Sequence, residues 1–219
     1  MKTVLTAGLA ALLTTQIAGS ALAAVTVYTD RASFLAALAA QNASVTTDTL
    51  DADIDAADSI TLASGVSSTN SVGSRNDLLG DNGVSGGVLA NALAANPTLA
   101  SGINEIGLPG GGIAFGADFA GVGDDLGLDP NASIILSVFD GGAPQFFDLV
   151  SLLGGESGFF GIIADDGELG LLQLSNSASA RNAFTLDNLV FAQAAPIPLP
   201  GALGLFAGAA ALLGWLRRR

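Results

Sequence analysis

Cysteine and histidine are both missing from this chain, and its single lysine, Lys2, stands next to the initiating methionine. Without them there is no disulfide, no imidazole base, no thiolate nucleophile and no zinc centre of the usual ligands. With no lysine beyond position 2 there is no Ser–Lys dyad or Schiff base either. Aromatic residues with a polar handle are nearly absent, one tryptophan and one tyrosine beside eleven phenylalanines. Two partial motifs fail. Gly155-Glu156-Ser157-Gly158-Phe159 has Phe where a nucleophile elbow needs its second glycine. Gly121-Val122-Gly123-Asp124-Asp125-Leu126 lacks the last position of a dinucleotide fingerprint and opens no helix. A carboxylate pair is the only catalytic chemistry left, and twenty acids make some such pair unavoidable.

Positive charge is equally sparse in the middle of the chain. Between residues 24 and 195 only Arg31, Arg75 and Arg181 stand against all twenty acids, a net charge of −17. Such a surface stays soluble by self-repulsion, turns away nucleic acid and anionic lipid, and attracts divalent cations. With no disulfide, stability must come from packing or from bound calcium.

What the middle lacks, the ends supply. Pro196-Ile197-Pro198-Leu199-Pro200-Gly201 precedes an apolar stretch from Ala202 to Leu216, and Arg217, Arg218 and Arg219 close the chain. Fifteen or so apolar residues span roughly 20–25 Å as a helix, short of the ~30 Å hydrocarbon core, and snorkelling arginines narrow the gap. Gly204, Gly208 and Gly214 suit a helix in lipid better than one in water, and Trp215 sits at an interfacial position. The other end reads as a signal peptide. Met1-Lys2 is a short positive region, Val4 to Ile17 is apolar, and Ala21-Leu22-Ala23 is a small-x-small cleavage site, leaving Ala24 or Val25 first. The expected organisation is a signal peptide over 1–23, a body over 24–195 and a sorting segment over 196–219.

The tail resembles the PEP-CTERM class of bacterial sorting signals in its Val-Pro-Leu-Pro-Ala variant, with Ile197 for the valine and Gly201 for the alanine. The resemblance covers about 24 residues. It implies handling by an exosortase-type membrane enzyme that cleaves near the motif, and a home at the cell surface or in a polysaccharide or biofilm matrix. The sorting residues are then Pro196, Pro198, Leu199, Pro200, Gly201 and Arg217–Arg219. Three body segments also look like ones that recur in exported proteins with this tail: Val27 to Phe34, Gly158 to Ile162, and Phe184 to Leu189. They carry no assigned activity.

The body reads as mainly β, a two-sheet antiparallel sandwich of jelly-roll kind with one short N-terminal helix. Thr29 or Asp30 caps that helix, and Phe34, Leu35 and Leu38 share a face. Strands are expected over Val45–Ile54, Ile113–Phe119, Ser133–Phe139, Phe146–Leu152, Phe159–Ala164, Leu169–Leu174 and Ala183–Ala192. Asp140-Gly141-Gly142 and Asp165-Asp166-Gly167-Glu168 read as hairpin turns. Residues 65–111 show little period beyond a helical set at Val88 to Ala95. Phe115, Phe119, Phe139, Phe146, Phe147, Phe159, Phe160, Phe184 and Phe191 are expected to fill the space between the sheets.

Read as a strand, Asp51, Asp53 and Asp55 point one way; read as an EF-hand loop, the run fails at Ala56 and Leu62. On the last strand regular alternation drops Asn188 among core residues, which demands either a bulge or a buried partner. By analogy with jelly-roll carbohydrate-binding modules, Asp51, Asp187 and Asn188 are the candidate ligands of a structural calcium; no other cofactor is expected. The expected function is that of a non-enzymatic exported surface or matrix protein. A calcium-stabilised carbohydrate-binding or adhesive module, and a matrix-processing glycosidase or lyase, are the alternatives.

Overall fold

The computed structural model describes residues 24–71, 82–93, 103–122, 133–139, 143–176 and 182–195. The expected signal peptide with Ala21 and Ala23, the turn expected at Asp140–Gly142, and the whole tail from Pro196 to Arg219 lie outside the described residues. Among the described residues thirteen strands form two antiparallel sheets. They are β1 (Val25–Tyr28), β2 (Ser44–Asp48), β3 (Ser59–Thr61), β4 (Ser67–Ser71), β5 (Gly83–Ser85), β6 (Val88–Leu93), β7 (Ile103–Gly107), β8 (Gly112–Ala120), β9 (Ile134–Phe139), β10 (Gln145–Asp148), β11 (Ser157–Ala164), β12 (Leu171–Asn176) and β13 (Asn182–Gln193). Two helices join them, α1 (Arg31–Ala40) and α2 (Leu149–Leu153).

One sheet runs β1-β11-β8-β13-β6-β5, with β2 pairing the second half of β13; the other runs β10-β9-β12-β7-β4-β3. The inner faces share one core. Phe115, Ala117, Phe119, Phe160, Ile162, Phe184 and Leu186 from the first sheet meet Ile106, Ile134, Leu136, Val138, Leu172 and Leu174 from the second. Along β8 and β11 the alternation is regular: Phe160 and Ile162 face in, Phe159 and Ile163 face out.

The outward residues of the first sheet are covered by α1. Phe34, Leu38, Phe159, Ile163, Val190 and Ala192 form a second, smaller core there. Asp30 starts α1 by accepting the Ser33 N–H at 2.8 Å, and the turn at Gln41 and Asn42, the latter at φ +53°, ends it. Leu35 is 37% exposed, so the buried stripe is Phe34 and Leu38 alone.

Several expectations are corrected. Val88 to Leu93 is a strand, paired to β5 through a two-residue turn in which Gly86 and Gly87 both take positive φ. The strand expected over Val45–Ile54 stops at Asp48, because Leu50 adopts φ +56° and only Ile54 returns to a bridge with Val84. Asp51, Asp53 and Asp55 are therefore loop residues. The strand expected over Phe146–Leu152 turns helical after Asp148, whose carboxylate caps α2 through the Ser151 N–H at 3.0 Å. Asp165–Glu168 is no hairpin turn but a crossover, since β11 and β12 lie in different sheets. Phe159 packs under α1 and Phe146 is 65% exposed, so neither lies between the sheets.

Candidate functional site

The segments Val27–Phe34, Gly158–Ile162 and Phe184–Leu189 meet at one place, on the face covered by α1. Gly116 and Gly161 stand directly opposite each other on β8 and β11. A Cβ at Gly161 would lie 2.8 Å from the Phe34 ring, and one at Gly116 would lie 2.9 Å from Phe159 and 3.1 Å from Phe34. The glycine pair is thus a slot that admits the Phe34 ring, which packs against Phe159 with ring centres 5.3 Å apart and planes tilted by 54°. Arg31, one turn earlier on α1, places its guanidinium 4.7 Å from the Phe159 ring centre, 3.0 Å from Asp118 Oδ2, and donates to the Asn188 carbonyl at 2.8 Å.

Asp187 and Asn188 sit in a β-bulge, the first of the two outcomes that regular alternation left open. The β8–β13 register shifts between Asp187 and Val190, with Asn188 at φ +48°. Before the bulge Phe184 and Leu186 enter the main core; after it Leu189 and Phe191 do. The extra residue reverses the parity and carries Asn188 out of the core. Its amide nitrogen then donates to Asp118 Oδ2 at 3.0 Å, and its backbone N–H to Asp187 Oδ1. Asp118 and Asp187 are direct cross-strand partners, a like-charge pair in which Arg31 counters Asp118. Arg31 is the only basic side chain among the described residues.

Asp51 stands elsewhere, on the rim of a cavity of about 380 Å³ between the loop that follows β2 and the β3–β4 turn. Leu50, Leu62 and Val84 make an apolar floor, each nearly inaccessible. Thr46, Thr47, Thr49 and Asp51 edge the opening. Asp48, which nothing in the residue pattern singles out, builds this cavity. Its Oδ1 accepts the Leu50 N–H at 3.0 Å and its Oδ2 the Ser64 N–H at 3.1 Å, tying the two loops together and holding Leu50 in its left-handed conformation. Burial opposes the charge on Asp48, but Ser64 beside it and the Leu50 N–H outweigh that penalty and hold the carboxyl below its ordinary value. Thr49 donates its hydroxyl to Asp51 Oδ2 at 2.7 Å.

Between β4, β6 and β7 the two sheets enclose a polar seam. Ser68, Asn82, Asn91 and Asn104 are all buried. Asn104 Nδ2 donates to Ser68 Oγ and Asn70 Oδ1, both at 2.9 Å; Asn91 Nδ2 donates to Asn70 Oδ1 at 2.9 Å; Ser68 Oγ donates to Asn82 Oδ1 at 2.7 Å. Sequence reading passed over these residues, which fall in the stretch of weak period.

Asp187 and Asn188 therefore touch each other, whereas Asp51 belongs to the cavity. Among the described residues no group of three or more acids is placed to hold a metal ion, and no helix is long and apolar enough to cross a membrane. No protein-family model, no curated protein and no solved structure matches this chain.

Proposed function

We propose that the protein is a non-enzymatic, exported surface or matrix protein, sorted through its C-terminal segment and processed by an exosortase-type membrane enzyme. One observation carries the reading: a proline-rich motif at Pro196–Gly201, an apolar run from Ala202 to Leu216 and Arg217–Arg219 follow one another without interruption. The leader with Ala21-Leu22-Ala23 supports export, and the −17 charge of residues 24–195 supports a life in bulk water away from nucleic acid and anionic lipid. The body itself we read as a jelly roll. The order β11-β8-β13-β6 opposite β10-β9-β12-β7 supports this, being the arrangement of eight strands in two Greek keys.

A catalytic reading has little to draw on. A general acid needs a raised carboxyl pKa, and Asp48, the more enclosed acid of the cavity, is pushed the other way. The test is secretion of the full chain in a host that carries a sorting enzyme. Replacing Pro198 and Pro200 by alanine should leave the precursor in the membrane; secretion and trimming unaffected by that change would refute the reading.

A second reading, a carbohydrate-binding or adhesive module, is favoured by the cavity beside Asp51. A structural calcium at Asp187 and Asn188 would have to sit beside Arg31, which pairs with Asp118 and holds the Asn188 carbonyl.

A further inference from the structure

We propose that the cavity between the loop after β2 and the β3–β4 turn binds one ring of a neutral sugar; this rests on the binding-module reading. The volume, about 380 Å³, lies near the low end of the roughly 300–1,000 Å³ of small-molecule sites and suits a single ring. Its chemistry is two-sided. Ala52, Ile54 and Ala63, above the buried Leu50, Leu62 and Val84, offer an apolar floor for the C–H face of a pyranose, while Thr46, which shares the sheet face of Phe191, and Thr49 bring hydroxyls. A polyol, which alternates hydroxyls with C–H groups, meets both.

The carboxylates decide against the competing ligands. Both oxygens of Asp48 are occupied by backbone N–H groups, so that side chain shapes the cavity and does not reach into it as a free ligand. Asp51 keeps one oxygen free, the other accepting the Thr49 hydroxyl. One free carboxylate oxygen falls short of the six to eight oxygens that calcium gathers. It suffices to accept a hydrogen bond from a sugar hydroxyl. An anionic sugar is disfavoured by both acids at the opening and by the −17 charge around them.

The loops are held for the purpose. Asp48 brackets the first loop to the second, and the left-handed Leu50 turns its side chain into the floor while exposing Thr49 and Asp51 at the edge. Preorganisation of this kind lowers the ordering cost of binding a weakly interacting, strongly hydrated ligand.

The test uses the full chain, purified in a detergent without a sugar headgroup, and saturation-transfer NMR with glucose, galactose, mannose and N-acetylglucosamine. Glucuronate and calcium chloride are run beside them. At least one neutral sugar should show transfer from its ring protons, with affinity in the millimolar range. Thr46→Val and Asp51→Ala should each weaken it about tenfold or more, with unchanged melting temperatures because both residues are exposed. The proposal is overturned if no neutral sugar shows transfer, if both variants keep the signal, or if glucuronate or calcium is the better ligand. A pull-down of the full chain on insoluble polysaccharides separates the two levels. Retention that both variants preserve removes this cavity and leaves the binding module; no retention at all removes the module.

Discussion

Replacing Arg31 by methionine tests how the covering helix is held. The guanidinium makes three contacts at once: the Asn188 carbonyl at 2.8 Å, Asp118 at 3.0 Å and the Phe159 ring at 4.7 Å. A hydrogen bond from a charged donor contributes ~1.5–3 kcal/mol, an ion pair this exposed ~0–1, and a cation–π contact at a wet site ~0.5–1. All three share one group, so they do not add, and methionine retains the apolar stem. The expected loss is about 2 kcal/mol, a fall in melting temperature of about 4–8 °C for a body of this size. Removing Arg31 also leaves Asp118 facing Asp187 with no counter-ion. Asp118→Asn should therefore cost less in the Arg31→Met background than in the parent, with a coupling of about 0.5–1 kcal/mol by double-mutant cycle. Urea denaturation of the full chain measures both. Because this counter-ion is covalently part of the protein, EGTA should leave the melting temperature where it is. A loss under ~0.5 kcal/mol, strict additivity with Asp118→Asn, or a marked drop in EGTA would refute the reasoning.

Other consequences follow from the same contacts. Gly161→Ala should destabilise by ~1–3 kcal/mol through overpacking against Phe34 and Phe159, and Phe34→Leu in the same chain should recover part of the loss; equal melting temperatures for parent and Gly161→Ala would show that the slot has room. Asn104→Ala removes the donor to both Ser68 and Asn70 in the buried seam, with an expected cost of ~2–3 kcal/mol by urea denaturation, and a cost near zero would mean that those acceptors find other partners. Acid should act through Asp48 and Asp148. For each, burial opposes the charge while the hydrogen bonds it accepts outweigh that, so the folded pKa lies below the ordinary carboxyl value. Their contribution is complete above the unfolded pKa of about 3.9 and is lost as pH falls through the folded values. Asp148→Asn, which keeps a helix-capping oxygen, should flatten the fall in stability below about pH 4 relative to the parent, and parallel curves would contradict this.

Much of the fold was legible where alternation is strict. β8, β9 and β11 were placed within a residue or two because one face of each is apolar, β13 as closely despite Asn188 on its apolar stripe, and a cap at Thr29 or Asp30 was legible before an apolar helical stripe. The misses have physical reasons. Leu50 in a left-handed conformation breaks a segment whose side chains favour a strand, and only the Asp48 carboxylate, satisfied by a residue sixteen positions away, sustains it. Val88 to Leu93 reads with either period until Gly86-Gly87 is recognised as a hairpin turn. Phe159 looks like any core phenylalanine; that it packs outside the main core depends on a helix more than a hundred residues earlier. The bulge was the better-read case. A polar residue on an apolar stripe announced it, and asparagine tolerates the positive φ it required. The cavity was half legible: Asp51 was singled out, but as a calcium ligand, and the hydroxyls that give its rim a different chemistry lie on a strand with no apolar pattern.

The account rests on both ends of the chain being removed in the course of export. Intact-mass measurement of the protein recovered outside cells that carry a sorting enzyme tests it most directly. A species beginning at Ala24 or Val25 and lacking Arg217–Arg219 is the predicted result. A full-length mass from Met1 to Arg219, recovered from the cytosol, would contradict it.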